Sequence, residues 1–435
     1  MQPQPESTGF PRLRWWILLL LFLAIAINFL DRQVLSIVEP ILREKYRFTD
    51  TDYGVILVFF LLGMTLGQVP AGIMLDRWGA RRGFPLIFVG WSLVGMLHAW
   101  GRTVAQFCGL RFLLGLNECG SLSAGIKVIG EWFPARERAL ASGIFNAGCL
   151  AGSVIAPPII VLIILHYGWR AAFLIPGAVG CLWVYPWLKL YWVPAKHPRL
   201  TPDQRAFMAA QTVPSVDPAL HKPRIRSLLC LAPVWGVILM RAFGGPVNHF
   251  YWYWLPEYLK HERHMSLAMI GLVAGTPFIS GGLGNIAGGW ASSYLIRRGR
   301  PALSARKAIV AGAAVFCLLA TLVPVVGSPA SALALICLAT FGNNAISANH
   351  MAVLTDTFPE TMLARIAGMT GVGDGILSMA AMLLTGIVVQ HYSYLPVFIT
   401  VGLMPVLATL SLFLLVRAPD SPPVRTGGQP TIAMH

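Results

Sequence analysis

Apolar stretches of membrane-spanning length recur along the whole chain, separated by short polar intervals. Each stretch is long enough to cross a hydrocarbon layer about 30 Å thick as an α-helix. We place twelve such spans at residues 13–38, 53–76, 84–100, 104–130, 138–166, 170–193, 228–255, 268–296, 306–325, 330–355, 363–390 and 395–416. The pattern predicts an all-α membrane protein with twelve transmembrane helices.

The longest polar interval divides the spans into six and six. It contains six prolines, which disfavour an ordered domain there and favour a linker. We therefore predict an N-terminal six-helix bundle at residues 1–193, a cytoplasmic linker at 194–227, and a C-terminal six-helix bundle with a short cytoplasmic tail at 228–435.

Composition and charge narrow the class further. Of the 435 residues 56% are hydrophobic and 12% are charged, which excludes an ordinary soluble enzyme. The net charge of +15 does not indicate nucleic-acid binding, because the basic residues lie in short loops between apolar runs. Most of the 33 Lys and Arg residues fall in even-numbered loops and tails if the N-terminus is inside. Both termini and the linker are then cytoplasmic, in a multi-pass protein of the plasma membrane (a bacterial inner membrane).

Charged residues interrupt two of the predicted spans. Asp31 and Arg32 lie in the first span, and Arg111 and Glu118 lie in the fourth, seven residues apart and so on one helical face. A charge at membrane depth costs about 2.5–3.5 kcal/mol even on lenient scales, so these side chains need partners or a water-filled cavity. A cation and an acid on each of two helices predict a site for a carboxylate and a proton.

The loop after the second span reads GIMLDRWGARR, residues 72–82. It resembles the loop motif G-x-x-x-D-R-x-G-x-R-R of the major facilitator superfamily; a basic loop alone would explain the arginines but not the glycines and the aspartate. The resemblance implies two six-helix repeats with a site between them, and a gating role for Asp76, Arg77 and Arg81. At the corresponding place in the second half, Ser293 and Tyr294 stand where Asp-Arg is expected.

Within the superfamily, the chain is similar to the anion:cation symporter family. The family patterns N-Y-x-D-R and R-F-x-x-G-x-x-E-x-G appear at residues 28–32 and 111–120, and FYWYWLPEYL at 250–259 resembles hexuronate-type members. The resemblance implies that Arg111 engages an anionic substrate and that Arg32 pairs with Glu118 in the empty site. It also implies that Asp31 and Glu118 couple transport to protons, because burial favours the neutral form of a carboxyl group and a nearby arginine favours the ionised form.

Other polar residues in the spans are left with two interpretations each. Asn28, Asn146 and Asn349 are candidate substrate-binding residues, although asparagines in the middle of a span also tie helices together. Lys127 either serves the site or extends to the membrane interface. Arg241 either contacts substrate or pairs with another helix.

Several positions depart from the family pattern. Phe29 and Met64 stand where the family has tyrosine, and each lost hydroxyl removes a hydrogen bond of about 0.5–1.5 kcal/mol to a polyhydroxylated substrate. Gly245 stands where hexuronate-type members often have aspartate. Asp374 lies in the stretch GVGDG, which the family usually keeps uncharged, and it is a candidate additional proton site.

These patterns favour a proton-coupled importer of an organic monoanion, a sugar acid such as a hexuronate or aldonate. The alternatives are an exporter or exchanger of amphipathic compounds, which two arginines facing acids argue against, and a nontransporting membrane sensor on the same fold. The sequence contains no nucleophile–base set, metal cluster or phosphate loop, so we predict neither an enzyme nor a cofactor or metal. The expected partners are a small organic anion, protons and the lipid bilayer, with no nucleic acid, and the expected state is a monomer.

Overall fold

The computed structural model describes residues 13–202, 204–205 and 225–416, and the regular structure within them is helical. Most of the predicted linker and both predicted tails lie outside the described residues. The helices are α1 (Leu13–Tyr46), α2 (Asp50–Leu97), α3 (Val104–Glu118), α4 (Gly120–Trp132), α5 (Ala135–Tyr167), α6 (Ala171–Leu190), α7 (Ile225–Leu229), α8 (Ala232–Tyr253), α9 (Leu255–His261), α10 (Leu267–Val273), α11 (Thr276–Arg297), α12 (Ala302–Leu318), α13 (Pro329–Thr357), α14 (Glu360–His391) and α15 (Tyr394–Leu415). We call residues 13–202 the N-terminal half and residues 225–416 the C-terminal half.

Eleven stretches of the described residues are long and apolar enough to cross a membrane, one fewer than predicted. The predicted span at 228–255 is the one without a counterpart among them. It is occupied by the 22-residue helix α8, which carries Arg241, Asn248 and His249 among its apolar residues. These polar side chains lower its hydropathy, so the count of twelve stays a prediction.

Two features of the helix boundaries matter for the site. The stretch α2 comprises two helical arms, which correspond to the second and third predicted spans, and the backbone between them is not helical at Gly79, where φ is 69°. A Cβ added at Gly83 would lie 3.5 Å from Leu75 Cα, which shows that the two arms are antiparallel neighbours. Glycine adopts positive φ without steric cost, which explains the second glycine of the loop motif. The fourth predicted span is divided into α3 and α4 at Cys119, directly after Glu118.

Small residues bring the helices of the N-terminal half close together around these charges. A Cβ at Gly63 on α2 would lie 2.2 Å from Phe112 O on α3, and a Cβ at Gly115 would lie 2.3 Å from Phe60 O. On the other side, a Cβ at Gly152 on α5 would lie 2.3 Å from Ala26 O on α1. Glycine at these positions allows helix backbones to approach as transmembrane packing requires. The charged faces of α1 and α3 are thereby held in the middle of the bundle.

The two halves meet along two seams. Gly54 on α2 lies against Met382 on α14 in one seam, and Gly271 on α10 lies against Val161 on α5 in the other. One contiguous core contains buried residues of both halves, whereas a second core lies within the C-terminal half. The candidate site lies between the two seams.

Candidate functional site

The four charged residues of α1 and α3 are buried together, and one pair of them is in direct contact. Arg32 Nε donates a hydrogen bond to Glu118 Oε2 at 2.6 Å, and the two side chains are 10% and 0% exposed. This is the pairing that the family resemblance implies for the empty site. Phe29 covers the guanidinium of Arg32, whose central carbon lies 4.6 Å from the ring centre. The aromatic face at position 29 thus stabilises a cation in place of the hydroxyl that a tyrosine would offer.

Arg111 lies beside this pair and is less well satisfied. Its guanidinium carbon is 5.4 Å from the centre of the Phe60 ring, and its side chain is buried. Its Nε and Nη1 have no hydrogen-bond partner among the described residues. A buried, partly unpaired guanidinium is costly unless an anion or a carboxylate completes it. Arg111 is therefore the cation of this cluster that is most ready to receive an anion.

Asp31 faces Arg111 across a small void that the sequence analysis did not anticipate. Asp31, Arg111 and His98 line it together, and Asp31 Oδ2 has no hydrogen-bond partner among the described residues. His98 is buried, its Nδ1 lies 2.8 Å from Val94 O, and its ring stacks on Phe173. A lone histidine at the end of an apolar run gave no sequence signal for this position.

A cavity of about 540 Å³ opens between the two halves, within the size range of small-molecule sites. Its wall includes Phe29 and Asn146 of the N-terminal half and Asn248, Trp252 and Asn344 of the C-terminal half. Of the three candidate asparagines, Asn146 alone lines this cavity. The cavity is polar at several separate points, as a polyhydroxylated ligand requires.

The other two candidate asparagines occupy different surroundings. Asn28 is fully buried, and neither its side-chain nitrogen nor its oxygen has a partner among the described residues. Asn349 donates through Nδ2 to Gly288 O at 3.1 Å and to Ala345 O at 2.9 Å. Asn349 therefore ties α11 to α13, the second of the two interpretations of its sequence position.

The motif residues of the loop at Gly79 make contacts within the N-terminal half. Lys127 Nζ lies 2.9 Å from Asp76 Oδ1 and donates to Leu75 O, so Lys127 has a partner outside the cavity. Arg81 donates to Tyr191 O and stacks on the Trp192 ring at 3.2 Å. Arg77 is exposed. The gating role of Asp76, Arg77 and Arg81 stays a prediction.

The C-terminal half holds a second ion pair. Arg241 Nε on α8 lies 2.9 Å from Asp374 Oδ2 on α14, and Ser378 Oγ donates to Asp374 Oδ1 at 3.0 Å. Ser378 Oγ also lies 3.2 Å from His249 Nδ1. The sequence left the roles of Arg241 and Asp374 open, and the geometry brings the two residues together.

The same ion pair explains two departures from the family pattern at once. A Cβ at Gly245 would lie 1.7 Å from Asp374 Oδ1, closer than any side chain tolerates. The carboxylate of Asp374 therefore occupies the space directly over the position at which hexuronate-type members often carry aspartate. Glycine at 245 and aspartate at 374 are complementary, and together they keep a carboxylate beside Arg241.

A third charged group joins the halves at the end of the molecule that carries the turn from α1 to α2. Arg43 lies 3.2 Å from Glu39 Oε1, 3.2 Å from Glu257 Oε1 and in hydrogen-bond contact with Asp50. Glu257 belongs to the C-terminal half, so this contact spans the seam. Burial, and the nearby Glu39, raise the pKa of Glu257 to about 9 despite Arg43. Glu257 lies far from Arg43 along the chain, so no local sequence pattern indicated this group.

The described residues contain no cluster of three or more His, Cys, Asp or Glu side chains arranged to hold a metal ion. The seven cysteines are unpaired, and Cys108, Cys119 and Cys317 are buried. The chemistry available at the site is therefore that of arginine, carboxylate, amide and aromatic side chains.

Curated relatives align with nearly the whole chain. A protein of Escherichia coli (strain K12) named "Probable L-galactonate transporter" is 30% identical over 96% of this chain and 92% of its own length. The hexuronate transporter of the same organism is 26% identical over 93% of this chain and 94% of its own length. A protein of Bacillus subtilis (strain 168) named "Probable galactarate/D-glucarate transporter" is 30% identical over 93% of this chain and 92% of its own length.

Solved structures share the fold at low sequence identity. A bacterial homologue of the human lysosomal transporter Spinster, inward-facing and occupied, matches with a TM-score of 0.71 and 17% identity, over 94% of this chain and 97% of that one. A D-xylose–proton symporter matches with a TM-score of 0.70 and 17% identity, over 93% of this chain and 98% of that one. The model of the Major Facilitator Superfamily matches residues 21–304 and 247–433. The chain therefore belongs to the Major Facilitator Superfamily, a family of membrane transporters and not of enzymes.

Proposed function

We propose that the protein is a proton-coupled importer of a sugar acid, such as a hexuronate or aldonate, that works by alternating access. The observation that carries this proposal is the buried group on α1 and α3. There Arg32 is paired with Glu118, while Arg111 keeps two buried donors without a partner among the described residues. The names of the sugar-acid carriers that align with nearly the whole chain support the substrate class.

The carboxylate of the substrate binds where guanidinium donors are available. Arginine offers two parallel hydrogen bonds to a carboxylate, which fixes its orientation as well as its charge. Arg111 is the first cation to engage, and Arg32 follows when Glu118 releases it. Asn146 and the other polar residues of the 540 Å³ cavity contact the hydroxyl groups. Asn28 lies one helical turn before Arg32 on α1, and its buried amide, which has no partner among the described residues, offers hydrogen bonds to the substrate when the site opens.

Proton coupling follows from charge balance in a buried site. Glu118 is fully buried and is the counter-ion of Arg32. If an anion takes its place, Glu118 is left as an uncompensated buried charge unless it is protonated. Asp31 lines a small void together with Arg111 and has no direct ion pair with it among the described residues, so an anion bound at Arg111 also favours the protonated form of Asp31. Anion and proton therefore enter and leave together.

The state of the described structure is closed at the Arg43 end. Arg43 contacts Glu257 across the seam, Tyr53 Oη donates to Tyr253 O at 2.8 Å, and the Thr51 amide donates to Gln390 Oε1 at 3.2 Å. With the predicted orientation, this end faces the periplasm, so the described state is closed to the periplasm. Opening requires the two halves to rotate apart about the central cavity.

The remaining expectations belong to the same proposal. The chain spans the bacterial inner membrane twelve times as two six-helix halves, with both termini in the cytoplasm, and it functions as a monomer. Protons, a small organic anion and the lipid bilayer are its partners, and it needs no cofactor. Asp76, Arg77 and Arg81 control closure of the cytoplasmic end.

The proposal is tested by uptake into proteoliposomes. A panel of hexuronates, aldonates and simple monocarboxylates is offered with and without an inward proton gradient. We expect one sugar acid to accumulate only with the gradient. Arg111→Ala abolishes the uptake, and Glu118→Gln abolishes accumulation while it leaves exchange of substrate across the membrane.

The control for these variants is Lys189→Ala, which removes an exposed cation outside the cavity lining and leaves uptake close to wild type. Accumulation that ignores the proton gradient would remove the coupling roles of Asp31 and Glu118. If no sugar acid accumulates under any condition, the substrate class is wrong.

A further inference from the structure

The ion pair of the C-terminal half has an open side. Arg241 uses Nε for Asp374, and its Nη1 lies 3.5 Å from Ser347 Oγ, at the limit of a hydrogen bond. The Arg241 side chain is 37% exposed, whereas that of Asp374 is 9% exposed. Asp374 thus binds Nε of the guanidinium and leaves the two terminal nitrogens, Nη1 and Nη2, on the exposed side. We call the side with Nη1 and Nη2 the outer edge of Arg241.

The terminal nitrogens are also not committed elsewhere. No described residue accepts a hydrogen bond from Arg241 Nη2. Nη2 is also not among the buried side-chain nitrogens that lack a partner. Nη2 is therefore accessible. A guanidinium has five N–H donors in a planar fork, so one edge can hold Asp374 while the outer edge binds another carboxylate through two parallel hydrogen bonds.

Arg241 lies behind the wall of the cavity between the halves, on the far side of Asn248. Arg241 lines a small void together with Asn248, and Asn248 also lines the 540 Å³ cavity. At the other side of the same cavity stands Phe29, whose ring lies against Arg32. The cavity therefore has an arginine behind each of two separate parts of its wall, one from each half of the protein.

His249 gives a second indication that the two charged groups are near one another. Its Nδ1 lies 3.2 Å from Ser378 Oγ, which donates a hydrogen bond to Asp374 Oδ1. Its ring packs against Trp252, which in turn packs against Phe29. A short aromatic wall thus connects the two groups.

We propose that Arg241 is a second anion-binding residue and that the cavity accepts a dicarboxylate sugar acid. One carboxylate pairs with the group of Arg32 and Arg111, and the other binds the outer edge of Arg241. The inference rests on the proposed function, because it assumes that one carboxylate of the sugar acid binds at Arg111 and assigns Arg241 as the partner of the other end of the molecule.

A neutral far end would not require this arrangement. Hydroxyl groups are satisfied by amide and hydroxyl side chains, which Asn248, Asn344 and Thr340 supply in the cavity wall. A guanidinium at membrane depth is expensive and is retained where it serves a charged partner. Its charge-assisted hydrogen bonds to a carboxylate are about twice as strong as those between neutral groups. We expect the second carboxylate to strengthen binding about ten- to hundredfold.

The test compares two acids that differ only at the terminal carbon, L-galactonate with one carboxylate and galactarate with two. Binding to the purified full-length protein is measured by calorimetry, and uptake is measured in proteoliposomes. We expect galactarate to bind at least about tenfold more tightly in the wild type. Arg241→Gln reduces galactarate binding to the level of L-galactonate and leaves L-galactonate binding unchanged.

Two further variants make the result specific. Arg306 forms another Arg–Asp pair of the C-terminal half, with Asp356 at 3.2 Å, and it does not line the cavity. We expect Arg306→Gln to leave the ratio of the two binding affinities unchanged. Asp374→Asn keeps an acceptor for Arg241 Nε but removes its negative charge, so galactarate binding becomes tighter relative to L-galactonate.

The outcomes separate this inference from the proposed function. Binding of L-galactonate as tight as that of galactarate in the wild type overturns the inference alone, as does an Arg241→Gln variant that weakens both acids equally. A fall of the galactarate preference in Asp374→Asn also overturns it. If neither these acids nor other sugar acids bind or accumulate, the proposed function fails and the inference fails with it.

Discussion

Each half of the protein places one arginine–carboxylate pair near the central cavity, but the two pairs differ in depth. The side chains of Arg32 and Glu118 are 10% and 0% exposed, and a second arginine and a second acid are buried beside them. In the pair of Arg241 and Asp374, the acid is nearly buried and the arginine side chain is 37% exposed. We call Arg32 and Glu118 the closed pair, because both side chains are buried, and Arg241 and Asp374 the open pair, because one edge of the arginine is accessible.

The difference separates two tasks that charge performs in a transporter. In the closed pair, any change of partner leaves a buried charge uncompensated, so an anion exchanges only together with a proton. In the open pair, an additional anion binds without breaking the existing contact, since the outer edge of the guanidinium is accessible. The first arrangement is suited to coupling and the second to recognition.

The largest effect is expected from breaking the closed pair. Arg32→Gln leaves Glu118 buried without its counter-ion, and we expect a loss of stability of about 3–5 kcal/mol together with loss of uptake. Arg241→Gln, the matched change in the open pair, costs clearly less because the site is partly solvated. Thermal unfolding of the purified variants measures both. Equal losses at the two positions would remove the distinction between the pairs.

A compensating change sharpens the interpretation. Arg32→Gln combined with Glu118→Gln replaces the ion pair by a neutral hydrogen-bonding pair of similar shape. We expect it to restore most of the stability without restoring proton-driven uptake. If uptake returns with the stability, the charges of this pair serve structure rather than coupling.

A smaller but more specific effect is expected from moving the carboxylate of the open pair. Gly245→Asp alone places a second side chain in the space of Asp374 and costs about 1–3 kcal/mol by overpacking. Asp374→Gly alone leaves Arg241 without its counter-ion. The double variant carries one carboxylate beside Arg241 again, and its uptake and stability recover towards wild type. Additive losses in the double variant would show that the two positions do not share one space.

The group that joins the halves adds a pH-dependent effect. Glu257 has a pKa of about 9 in the folded protein, above its ordinary value, so the folded state holds a proton that an exposed Glu257 releases. Its contribution to stability is therefore present below its ordinary pKa and is lost as pH rises towards 9. We expect thermal stability to fall between about pH 4.5 and about pH 9, and the fall to be weaker in Glu257→Gln. An unchanged pH profile in that variant would assign the proton to another group.

The smallest effect is expected outside all of these groups. Lys127 pairs with Asp76, whose side chain is 83% exposed, and exposed pairs contribute about 0–1 kcal/mol. Lys127→Ala should therefore leave stability within about 1 kcal/mol of wild type. A loss as large as that of Arg32→Gln would show that the motif loop carries more of the stability than its exposure indicates.

The sequence predicts the helices well, because they depend on local pattern, whereas the pairing of Arg32 with Glu118 was implied by the family resemblance. Apolar runs of about 20 residues can only be membrane helices, and Arg111 and Glu118 share a helical face by their spacing. The partners of Arg241 and Arg43 depend on how distant helices pack, and no local pattern encodes that contact. The one available signal was indirect: Gly245 and Asp374 were both unusual for the family, and residues that change together often touch.

The contact between Gly245 and Asp374 also has a consequence for how such a protein diverges from its relatives. A lineage that shifts the acid from one helix to the other passes through an intermediate with either two carboxylates in one space or none beside Arg241. The first intermediate is overpacked and the second leaves an unpaired guanidinium within the bilayer. We therefore expect single substitutions in either direction to be disfavoured and the two positions to change together.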